Sequence, residues 1–75
     1  MDRWQIKTTD TRTGDELCTT ELPRLAALGY RYESCLFRAT GDSEVMARYQ
    51  TREDAEAGHA RIVRETMWGL AIQQE

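Results

Sequence analysis

The 75-residue chain holds one histidine, His59, and two cysteines, Cys18 and Cys35, 17 positions apart with no C-x-x-C string between them. A structural zinc site takes four ligands at close spacing, so this set falls short and no metal site is expected. In a reducing cytoplasm both thiols are expected to stay free, as small apolar strand residues. There is no G-x-S-x-G string to give His59 a nucleophile, and Gly14 and Gly41 stand alone rather than in a phosphate-binding loop. No catalytic residue, no cofactor and no enzymatic activity are therefore expected. No run of about 18 apolar residues occurs, so no segment reads as a membrane span. Met1 to Lys7 also lacks the apolar stretch of a signal peptide. These features together point to the cytoplasm.

The length fits one domain, residues 1–75, in which about 60% of the unfolded chain's surface becomes buried. Such a core is marginal without a staple or a partner chain. The hydrophobic share, 40%, is that of a globular chain, and the net charge is −3. An acidic balance argues against a dedicated nucleic-acid binder, which shows a basic face. Nine of the ten basic residues are arginines, with Lys7 the exception. The forked guanidinium suits phosphate and carboxylate. A GC-rich coding sequence is the other explanation for the bias.

Alternation around Trp4 and Ile6 predicts a strand over 2–9, a turn at Gly14 and a returning strand from Glu16 to Thr19. Leu22, Leu25, Ala26 and Leu28 recur at helical spacing, with Thr20 as a candidate N-cap, Pro23 in the first turn and Gly29 at the end. Tyr30 to Ala39 and Glu44 to Gln50 predict a second hairpin around Gly41. Tyr30, Tyr32, Ser34 and Leu36 would share one face of the first strand, and Val45, Ala47 and Tyr49 one face of the second. Thr51 caps a long C-terminal helix reaching to about Gln73, with Glu53, Asp54 and Glu56 placed where the helix dipole favours them. The predicted class is α+β: two hairpins in ββαββα order forming a small antiparallel sheet, packed by the long helix. Thr13-Gly14-Asp15 and Thr40-Gly41-Asp42 fall at equivalent turns and leave room for an internal duplication.

Projected at about 100° per residue, Ala55, His59, Ile62, Val63, Thr66 and Leu70 form one broad stripe with Gly58 on its edge. Trp68 and Ile72 project to nearly the opposite side. Large apolar groups there predict an interface, with a homo-oligomer as the first expectation. The alternative is a break at Gly69 that folds the tail back onto the core.

Arg48 and Tyr49 sit where the second hairpin meets the helix, with Arg31, Tyr32 and Arg38 on the paired strand. Arginine beside aromatic rings is the composition of a site that stacks a base and holds a phosphate. Arg48, Tyr49 and His59 are accordingly the candidate ligand-binding residues. A lone histidine in an apolar stripe is also commonly a core residue with its hydrogen bonds satisfied, and solvated sheet faces carry arginine routinely. A double-stranded RNA module is rejected, because the final helix lacks the lysines that grip phosphates.

The strand Tyr32-Glu33-Ser34-Cys35-Leu36-Phe37, a Gly-Asp turn, and the string Arg48-Tyr49-Gln50-Thr51-Arg52-Glu53-Asp54-Ala55-Glu56-Ala57-Gly58-His59 together resemble small uncharacterised phage and prophage proteins. Those carry an E-T-x-V-F strand followed by R-Y-x-T-x-E-E-A-x-A-G-H. The likeness spans residues 32–63, with Ser34 and Cys35 departing from the strand pattern and Asp54 standing for a glutamate. It implies a phage setting and carries over no catalytic residue. The expected function is that of a phage-derived small binding protein, oligomeric, inhibiting a host defence or regulatory target. It would act by protein contact or by sequestering a small nucleotide signal. The alternatives are an accessory or structural phage protein with no ligand and, last, a nucleotide-processing enzyme.

Overall fold

The computed structural model describes residues 4–67. It is an α+β fold: four antiparallel strands, β1 (Gln5–Thr9), β2 (Glu16–Glu21), β3 (Tyr32–Phe37) and β4 (Ser43–Tyr49), in the order β1-β2-β3-β4, with one helix, α1 (Arg52–Thr66). The two expected hairpins also pair with each other through β2 and β3, so they form one continuous meander. Consecutive strands paired in order need no crossover, which suits so short a chain.

The segment between the hairpins corrects the sequence reading. Thr20 is a strand residue, and the helix that follows is a 3-10 helix over Pro23–Leu28 with Leu22 at its N-terminal boundary and no side-chain cap. With six residues and Leu25 its one buried side chain, it has too little apolar face to propagate as an α-helix. Gly29 ends it in the left-handed region, φ 83°, where a side chain would be strained.

A register shift between Ser34 and Cys35 places Ala47 opposite Ser34 and Val45 opposite Cys35, with Met46 as the extra residue of a bulge. Strict alternation therefore fails in β4. Val45, expected on the face of Ala47 and Tyr49, turns away and is exposed, while Met46 and Ala47 both pack against the core.

Helix α1 begins at Thr51, whose hydroxyl accepts from the Asp54 amide at 3.1 Å, a cap worth about 1 kcal/mol. It closes at Thr66, short of the expected Gln73. Met67 leaves helical geometry at φ −125°, ψ 39°, and its side chain is buried in the core. Thr66, expected in the apolar stripe, is exposed and returns its hydroxyl to the Ile62 carbonyl at 2.8 Å. Leu70, Trp68 and Ile72, with the interface expected of the last two, lie outside the described residues.

The helix packs on one sheet face. Leu17, Leu36, Ile62, Val63 and Met67 form the main apolar cluster. Each large side chain there is worth about 1.5–3 kcal/mol of burial. At the other end of the sheet Tyr32 meets Trp4 edge-on at 5.4 Å, and the Arg52 guanidinium lies 4.9 Å above the Trp4 ring. Between these two ends the register row of Ile6, Thr19, Ser34 and Ala47 carries polar groups into the centre. No helix among the described residues is long and apolar enough to cross a membrane.

Candidate functional site

Two features meet at the junction of β4 and α1: a cleft lined by arginine and tyrosine, and a buried chain of hydroxyls ending on the wall of that cleft. The cleft has a volume of about 550 Å³ and is lined by Tyr30, Arg48, Tyr49, Gly58, Arg61 and Arg64, among others. That volume lies within the usual range for small-ligand sites. Local structure places each wall. The Arg31 amide donates to the Tyr49 carbonyl at 2.9 Å, which draws the residue after the 3-10 turn, and Tyr30 with it, to the end of β4. Ala57, Arg61 and Arg64 follow one another at i, i+4 and i+7, so they share a helix face.

Gly58 is what allows β4 to come so close. A Cβ at this position would overlap Cε1, Cζ and the hydroxyl of Tyr49. The tyrosine ring therefore lies directly against the helix backbone, at a position where glycine costs about 1 kcal/mol of helix propensity relative to alanine.

From Tyr49 the hydrogen bonds run inward across the whole sheet. The Tyr49 hydroxyl lies 2.9 Å from Ser34 Oγ, Ser34 bonds Thr19, Thr19 Oγ1 is 2.7 Å from His59 Nδ1, and His59 Nε2 is 2.9 Å from Thr8 Oγ1. All four strands and the helix contribute one residue each. Thr19, Ser34 and His59 are buried, yet no buried side-chain polar atom among the described residues lacks a partner. That completeness is what makes a polar seam tolerable in so small a core.

Burial pushes the His59 imidazole below its ordinary range, so it is neutral at pH 7 and carries one ring proton. Its tautomer then fixes the sense of the chain. With the proton on Nδ1, His59 donates to Thr19, Thr19 to Ser34 and Ser34 to Tyr49, leaving the tyrosine proton free for the cleft. With the proton on Nε2 the order reverses and Tyr49 donates inward.

The cleft's charge is unevenly neutralised. Arg48 Nε lies 3.1 Å from Glu33 Oε2 across the β3–β4 pair, and Asp54 is also among the lining residues. Arg61 and Arg64 form no ion pair among the described residues, whereas Arg12, Arg31, Arg38 and Arg52 each do. Among the described residues no group of three or more His, Cys, Asp or Glu is placed to hold a metal ion.

Of the candidate ligand-binding residues, Arg48 and Tyr49 line the cleft. His59 does not line it. Both of its ring nitrogens are held by threonines, so it reaches the cleft only through Thr19, Ser34 and Tyr49. Sequence reasoning missed Arg61, Arg64 and Tyr30. The two arginines carried a usable signal, since they sit three and six residues beyond Gly58 on the face that the glycine opens. No protein-family model, curated protein or solved structure matches the chain.

Proposed function

We propose that this protein is a small phage-derived binding protein that sequesters a phosphorylated, base-bearing ligand, such as a nucleotide signal, and so inhibits a host defence or regulatory target from within the host cytoplasm. The observation that carries this reading is the convergence of Arg48, Arg61 and Arg64 with Tyr30 and Tyr49 on one cleft. Arg61 and Arg64, which form no ion pair among the described residues, supply charge-assisted donors to phosphate oxygens, and Arg48 adds charge while its Nε faces Glu33. Tyrosine rings beside them supply faces on which a base stacks. The phage setting rests on the sequence resemblance over residues 32–63. An enzymatic role has less support, because the sequence carries no recognisable nucleophile motif.

Thermal shift and calorimetry against inorganic pyrophosphate, ADP-ribose derivatives and a panel of cyclic dinucleotides test the reading. A ligand at a hundredfold excess over its Kd adds about 2.7 kcal/mol, which raises the Tm of a domain this size by roughly 10 °C or more. The double variant Arg61→Glu/Arg64→Glu should lose that shift while melting like the parent when unliganded. Absence of stabilisation by every compound at millimolar concentration would refute sequestration. Recovery of a bound ligand in altered form would favour the enzyme instead.

A further inference from the structure

The sheet face turned away from α1 carries a row that the cleft does not use. Lys7 is paired with Cys18, Cys18 with Cys35, and Cys35 with Val45, one residue from each of the four strands. Both cysteines are free and partly exposed. Residues directly opposite each other in an antiparallel pair leave the sheet on the same side.

The register also fixes how far apart the two cysteines are. Leu22 donates its amide to the Arg31 carbonyl at 2.8 Å, and hydrogen-bonded pairs recur at every second residue, which makes Cys18 and Cys35 such a pair. Their Cα atoms are then about 5.5 Å apart. That is close to the commonest Cα separation of disulfides, whereas the Cβ atoms must approach by about 1 Å. The bulge beside Cys35 interrupts the β3–β4 ladder at this point and gives the strand room to adjust.

We propose that Cys18 and Cys35 form a dithiol modification site that reacts with low-molecular-weight disulfides and closes, reversibly, to a cross-strand disulfide. The Cys18 thiolate attacks one sulfur of glutathione disulfide, forming a mixed disulfide and releasing one glutathione. The Cys35 thiolate then attacks the Cys18 sulfur and releases the second. Two protein thiols are oxidised, one glutathione disulfide is reduced to two glutathione thiols, and the protein's two thiol protons end on the departing glutathiones. Cys18 is the attacking residue because Lys7 stands opposite it and stabilises its thiolate. Burial pushes both thiols above their ordinary range, with Glu16 adding to this at Cys18 and Glu33 at Cys35. The exchange is therefore slow at neutral pH and quickens as pH rises. The bond would join the two central strands and enclose the segment that carries the 3-10 turn and Tyr30 of the cleft.

The test is intact-mass analysis of the whole protein with glutathione disulfide, then peptide mapping and melting. The wild type should end two hydrogens lighter than the reduced protein, with one Cys18–Cys35 peptide, and reduced glutathione should reopen it. Cys35→Ser should stop at a glutathione adduct on Cys18, and Cys18→Ser, which lacks the attacking thiol, should form an adduct more slowly and never the internal bond. The oxidised form should melt higher by roughly 5–10 °C, less than an unstrained staple of this loop length would give. A wild-type protein that keeps the glutathione adduct, forms covalent dimers or does not react would overturn the proposal.

Discussion

Replacing Gly58 by alanine sets two effects of opposite sign against each other, and the contact with Tyr49 decides which prevails. In a helix interior the change is worth about 1 kcal/mol in favour of alanine. Here the new methyl would occupy the space of the Tyr49 ring. Overpacking of this kind costs about 1–3 kcal/mol. The atoms it meets are at the far end of the side chain, so the ring escapes by swinging into the cleft. That movement breaks the 2.9 Å bond to Ser34, for a further loss of about 1 kcal/mol. The expected net effect in the wild-type background is destabilisation by about 1–3 kcal/mol. With Tyr49→Ala in place no ring remains to be displaced, and Gly58→Ala should stabilise by about 1 kcal/mol. The double-mutant cycle therefore predicts a coupling of about 2–4 kcal/mol. Urea unfolding measures it directly, because with an m-value near the low end for small domains each kcal/mol moves the midpoint by roughly 1 M. If Gly58→Ala stabilises both backgrounds equally, the ring is not packed on the helix and the cleft wall described above is wrong.

Two further predictions concern the buried chain. Thr19→Val removes the hydroxyl between His59 and Ser34 and leaves buried polar atoms unpaired on both sides, so it should cost about 1–3 kcal/mol by urea unfolding, whereas Thr8→Val, at a partly exposed position, should cost less. The pH dependence follows from the lowered pKa of His59. The unfolded chain binds the proton more readily than the native state, so stability is complete above the unfolded value of about 6.5 and falls as pH drops through it toward the native value. The urea midpoint should decrease between pH 7.5 and pH 5, and His59→Gln should flatten that slope; a slope unchanged in the variant would remove His59 as its source. Asp10 is distinguishable, because hydrogen bonds from Arg12 hold its carboxyl below the ordinary range and its contribution is lost only in stronger acid.

Periodicity and turn chemistry alone determine the α+β class, the positions of the strands, the Thr51 cap and the helix face of Ala55, His59, Ile62 and Val63. These follow from local rules: side-chain period, glycine at turns, and a hydroxyl in front of a charged first turn. Arg48 and Tyr49 could also be picked out, because they adjoin in the chain at an element boundary.

Tertiary structure decided everything that depends on which strands pair and in what register. The sequence cannot show a bulge that turns Val45 outward and Met46 inward, since each residue of β4 is equally compatible with plain alternation. Nor can it show that two cysteines 17 positions apart face each other, because a slip of one residue in β2–β3 would separate them. His59 looks the same in sequence whether it meets a ligand or two threonines. Only the packing of α1 across four strands places Thr8 and Thr19 at its nitrogens, and long-range placement of that kind is set by the sum of many contacts rather than by any local string.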